Sequence, residues 1–171
     1  EIGAPSDGRG ARLHAPLRVR WRETRVVFSG STGILPPVLG EFFSLFSIGF
    51  GLAVALMGVV WIVAVRIKNA GIVDIAWAGA FYPLASLFAF SASGYPPRRV
   101  LIAAMVAVWS LRLATHLYFR VAGKHPQEDG RYAKLRADWG ADFDRRLMWF
   151  FQLQAGLLVV LSVPFLLVCL N

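Results

Sequence analysis

Residues 42–65 read FFSLFSIGFGLAVALMGVVWIVAV, with no charged side chain between Glu41 and Arg66. A helix needs roughly 20 mostly apolar residues to cross a bilayer. These 24 residues exceed that length and offer no polar face to water. A soluble amphipathic helix keeps one polar face, so the stretch is predicted to span a membrane. Three more stretches follow the same pattern. One runs from about Ile72 to Ala92 with Asp74 as its single charge. The next runs from about Val100 to Val121 and holds Arg112, His116 and Arg120 in its second half. The last runs from about Met148 to Leu170 and holds Gln152 and Gln154 but no charge. The predicted fold is therefore all-α, a polytopic bundle of about four transmembrane helices.

Composition agrees. The chain has 171 residues, of which 57% are hydrophobic and 16% charged. Soluble domains average about 45–50% apolar and about 25% charged, so an ordinary soluble enzyme is excluded. Cys169 is the only cysteine, which rules out a disulfide framework or a Cys-rich metal site. His14, His116 and His125 are too scattered to predict a metal centre.

The connectors are short, with one exception. Lys68 to Gly71 reads as a turn. Ser93 to Pro97 reads as another, its two prolines taken as the stop of the second helix. The long polar loop is 123–146. Within it Gln127-Glu128-Asp129 predicts a short helix start and Gly140 a stop. Residues 1–40 form a basic segment rich in Arg, Gly, Pro and Ser. It lacks sustained periodicity and does not match a signal peptide, so it is expected to be flexible or spurious rather than a working arm. The chain opens on Glu1 rather than Met, which reads as processing or a fragment.

The net charge is +8. Discounting residues 1–40, nine Arg and Lys fall on one side of the membrane and two on the other. The positive-inside rule then places loop 123–146 in the cytoplasm. A bilayer is the expected partner, and no nucleic-acid-binding module is recognisable.

Charges within spans cost about 2.5–3.5 kcal/mol each on insertion scales, so they call for a reason. Arg112, His116 and Arg120 are spaced i, i+4, i+8 and share one helix face, with Trp109 one turn earlier. That stripe suits the lining of a cavity for an anionic, phosphate-bearing ligand. A bland alternative has Arg120 reaching the interface and Arg112 pairing with an acid. Asp74 is the expected partner for Arg112 or His116. Trp77 and Phe81 follow it at helical spacing, a pattern of packing more often than of ligand stacking. In the loop, Arg131, Tyr132 and Arg136 could hold phosphates and a ribose, or meet lipid headgroups. Gly30-Ser31-Thr32-Gly33 lacks the lysine and the strand of a phosphate loop.

Several blocks together resemble a known family. They are Val73-Asp74-Ile75-Ala76-Trp77, Trp109-Ser110-Leu111-Arg112-Leu113, Arg120, Glu128-Asp129-Gly130-Arg131-Tyr132 with Leu135-Arg136, and Trp149-Phe150-Phe151-Gln152-Leu153-Gln154. In this order they are similar to bacterial membrane proteins of the steroid 5-alpha-reductase superfamily, over roughly residues 42–171. The resemblance implies NADPH-dependent reduction of a carbon–carbon double bond conjugated to a carbonyl, in a steroid-like or lipid-like substrate. It implies a bacterial inner-membrane location. It also implies that Arg112, Arg120, Arg131, Tyr132 and Arg136 contact the cofactor, with Glu128 and Asp129 at the same site. Asp74 and His116 are the catalytic candidates, Asp74 also orienting arginines and His116 as a proton donor. Relatives of that kind carry a further C-terminal half that completes the cofactor site. The sequence thus reads as an N-terminal half, expected to be inactive by itself. Two alternatives stay open: a membrane methyltransferase of the isoprenylcysteine type, and a non-enzymatic membrane scaffold.

Overall fold

A computed structural model of the chain describes residues 37–123 and 128–171. The expectations for residues 1–36, for His125 and for Gln127 lie outside the described residues. The described residues form five α-helices and no strand: α1 (Pro37–Ile67), α2 (Ile72–Ser91), α3 (Pro96–Ala122), α4 (Gly130–Trp139) and α5 (Phe143–Leu170). Four of these, all but α4, are long and apolar enough to cross a membrane. The expected all-α bundle of four spanning helices is what the chain forms.

Helix boundaries follow local chemistry. α1 starts at Pro37, whose fixed φ and missing N–H suit a first helical position. It stops where Lys68 takes a left-handed φ of 54° and Asn69 N–H reaches back to Ala64 O at 3.1 Å. The buried Asn69 side chain then accepts from Gly71 N–H at 3.0 Å and turns the chain into α2. Pro96 and Pro97 do not stop the second helix as expected. α2 has already ended at Ser91, and both prolines sit in the first turn of α3. The turn between them needs a glycine: a Cβ on Gly94 would lie 2.3 Å from Cys169 O. α4 is capped by the Asp129 carboxylate, which accepts from Arg131 N–H at 3.1 Å. It ends at Gly140 with φ 50°, where one 3-10 turn leads into α5.

α2 packs against α3, α1 against α5, and α4 lies across the start of α5. Met57, Val73, Phe88, Phe151, Leu158 and Leu166 form the fully buried centre. The outside is as apolar as the inside. Phe90, Val100, Val108 and Phe119 are all exposed. A soluble protein could not hold such a continuous apolar exterior in water. α3 is the least covered span, burying only Val106 and Ser110.

Ser110 has a specific task. Pro83 lies inside α2 and cannot donate to the carbonyl four residues back, Gly79 O. The Ser110 hydroxyl enters that break from α3. It donates to Ala78 O at 2.6 Å, lies 3.2 Å from Gly79 O, and accepts from Tyr82 N–H at 3.2 Å. Backbone groups at membrane depth need partners within the protein. Ser110→Ala is therefore expected to destabilise the bundle by about 1–2 kcal/mol. Thermal denaturation in detergent measures this, and an unchanged midpoint would refute the repair role.

Candidate functional site

The end of α1, the start of α2, the end of α3 and all of α4 meet at one end of the bundle. Six charged side chains and a phenol interlock there. Asp74, two residues into α2, accepts from Arg131 Nη2 at 2.7 Å and from Tyr132 Oη at 2.9 Å. Asp129 accepts from Arg120 Nη2 at 2.6 Å, and from Arg131 Nε and Arg131 N–H at 3.1 Å each. Glu128 takes Arg136 in a two-point grip at 3.0 and 3.1 Å, and one of its oxygens also accepts from Ala70 N–H at 2.8 Å. The Arg136 guanidinium stacks 3.9 Å over the Phe143 ring.

The network sets protonation states. The Arg131 backbone N–H, then the Arg120 and Arg131 side chains, hold the Asp129 carboxyl well below the usual carboxylate range. Hydrogen bonding to Asp129, then the charge of Asp74, raises the Arg131 guanidinium. Burial, then the negative charge of Asp74, pushes the Tyr132 phenol far above its ordinary value. At neutral pH Tyr132 is thus a fixed hydrogen-bond donor, and Asp129 is a permanent anion.

Beside the network, between α2 and α3, a groove of about 280 Å³ is lined by Asp74, Trp77, Leu113, Leu117, Arg120, Arg131 and Gln154. Its charges sit at the outer end and its apolar wall runs inward. A second hollow of about 300 Å³ is lined by Trp109, Arg112, Leu113 and His116. Leu113 lines both. Together they form a track along α3 with a charged mouth and an aromatic and aliphatic bed.

The expected Asp74 partner is corrected. Asp74 binds Arg131 and Tyr132, not Arg112 or His116. The cause is level along the helix axes. The antiparallel pairing sets Asp74 beside the end of α3, and Arg112 lies about 12 Å deeper at 1.5 Å per residue. Among the described residues, Arg112 and His116 have no ion-pair partner and are exposed on α3. Glu128 and Arg136 line neither hollow. They clamp α4 to the turn between α1 and α2. Phe81 is core, packed edge-on against Trp77 and Trp109 with ring centres 5.0 and 5.3 Å apart. Trp77 faces the groove, and its indole donates to Gln154 O at 3.2 Å. Gln154 was not among the predicted site residues. An uncharged amide in an apolar run gives no periodic signal, and its one sequence cue was its place in the Gln152-Leu153-Gln154 block.

A family described as "Protein of unknown function (DUF1295)" matches residues 60–171. Comparison with curated proteins and with solved structures finds no match.

Proposed function

From the premise that the chain belongs to the DUF1295 family, we propose that it forms part of an NADPH-dependent reductase of a lipid-like or steroid-like enone. The observation that carries the reading is the α2–α3 track. Its mouth holds Arg120 and Arg131, its wall holds Arg112 and His116, which have no ion-pair partner among the described residues, and its bed is Trp77, Leu113 and Leu117. Of these, Trp77, Arg112, Leu113, Arg120 and Arg131 fall in the sequence blocks similar to the steroid 5-alpha-reductase superfamily.

The donor set fits such a cofactor. Arg120 and Arg131 already share Asp129 and Asp74, so they meet a phosphate with part of their charge spent. Arg112 has no ion-pair partner among the described residues and is the principal phosphate contact. Tyr132, kept protonated, and Asp74 position Arg131 rather than transfer protons. The residue role of Asp74 is thus orientation of the mouth, and His116 is the group placed to donate a proton near the substrate carbonyl. Bound NADPH supplies the hydride. The apolar bed takes the hydrophobic substrate and excludes water. The basic end is the cytoplasmic side by the nine-to-two division of Arg and Lys, which puts the mouth where a soluble nucleotide can reach it.

The test is a thermal shift of the detergent-purified chain with NADPH and with S-adenosylmethionine. NADPH is expected to raise the melting temperature and S-adenosylmethionine to leave it unchanged. A shift with S-adenosylmethionine alone would replace this reading with the methyltransferase one.

A further inference from the structure

At the opposite end of the bundle a second groove lies between α2 and α3. It holds about 360 Å³. Its bed is Ser86 and Ala89 on α2 and Ala103, Ala104 and Ala107 on α3, with Arg99 at the mouth. Two features point to its occupant. The first is length. From Pro96 to Ala107 the lining covers eleven helical rises, about 16 Å. Half of a hydrocarbon core of about 30 Å is about 15 Å, so the groove is one leaflet deep. The second is charge. Arg98 and Arg99 have no carboxylate partner among the described residues. The nearby Glu41 is taken by Ser93, through its N–H at 2.7 Å and its hydroxyl at 2.6 Å. Arg99 donates to Ala92 O, yet its Nε is buried with no acceptor. A guanidinium partly withdrawn from water with its charge uncompensated favours an anion strongly.

We infer that this groove binds one anionic phospholipid, its phosphate at Arg99 and Arg98 and one acyl chain along Ala103, Ala104 and Ala107. The small side chains leave the room that the chain fills. The exposed Tyr95, next to Pro96, marks the level of the headgroups. The site is separate from the track at the basic end and does not depend on the reductase reading.

The experiment is native mass spectrometry of the detergent-purified chain titrated with phosphatidylglycerol or phosphatidylcholine of the same acyl chains. Wild type is expected to retain one phosphatidylglycerol at least tenfold more tightly than phosphatidylcholine. Arg99→Gln is expected to abolish that preference. Ala104→Trp, at an exposed position that leaves the core intact, is expected to reduce retention of both lipids by blocking the bed. Equal retention of the two lipids by wild type overturns the inference. So does phosphatidylglycerol retention unchanged in Ala104→Trp. Full displacement of the lipid by millimolar inorganic phosphate also overturns it, since a simple anion site needs no acyl groove.

Discussion

Asp74→Ala is expected to destabilise the protein by roughly 2–3 kcal/mol, a large share of the total for so small a bundle. The cost has two parts. The Tyr132 hydroxyl is buried, with the residue only 3% exposed, and it loses its acceptor. A buried donor left without a partner costs about 1–3 kcal/mol. Arg131 loses its 2.7 Å contact, but that side chain is 60% exposed, so water replaces most of it and this part is small. Asp74→Asn keeps an acceptor for Tyr132 and gives up only the charge, so about half the cost is expected to return. Tyr132→Phe removes the donor together with its need and should cost about 1 kcal/mol. A double-mutant cycle in detergent unfolding isolates the pair. A coupling below about 0.5 kcal/mol between Asp74 and Tyr132 would show that the contact does not hold α4 to α2.

Arg112→Leu is expected to act in the opposite sense. Arg112 is exposed on a membrane-spanning helix and unpaired among the described residues. A cation at such depth costs about 2.5–3.5 kcal/mol on insertion scales. Removing it should raise the melting temperature of the unliganded protein. The same change removes the guanidinium on the track that has no carboxylate partner among the described residues. Loss of a charge-assisted hydrogen bond is worth about 1.5–3 kcal/mol, or ten- to hundredfold in NADPH affinity. Higher stability with weaker nucleotide binding is the signature of a residue kept for function at a structural cost. A purely structural arginine would lower stability and leave binding untouched. Measured together, the melting temperature and the NADPH dissociation constant separate the two roles. Lower stability with unchanged NADPH binding would remove Arg112 from the site.

These two variants show where reading the chain in one dimension stops. Both residues stood out in the sequence for one reason, a charge inside an apolar run. Their opposite expected effects depend on which of them has a partner. That follows from the relative level of two antiparallel helices, and one helix's spacing carries no information about its neighbour's level. Glu128 and Arg136 make the same point. The loop's composition offered Arg136 as a ligand contact, and the family resemblance put Glu128 at the same site. In the fold they pair with each other, with Ala70 N–H and with the Phe143 ring, and so anchor α4.

The sequence alone determined the architecture. Long uncharged runs leave no polar face, and in a bilayer backbone groups need partners inside the protein, which a helix supplies to nearly all of its own, so the runs form membrane helices. The Gly140 helix stop followed from local backbone chemistry in the same way. The tertiary structure alone decided the partner of Asp74, the repair of the Pro83 break by Ser110 and the two grooves between α2 and α3. The Ser110 repair joins residues 28 apart and the Asp74–Tyr132 contact residues 58 apart, and each is brought to one depth by packing. Periodicity reports which face of a helix is apolar. It does not report what stands opposite that face.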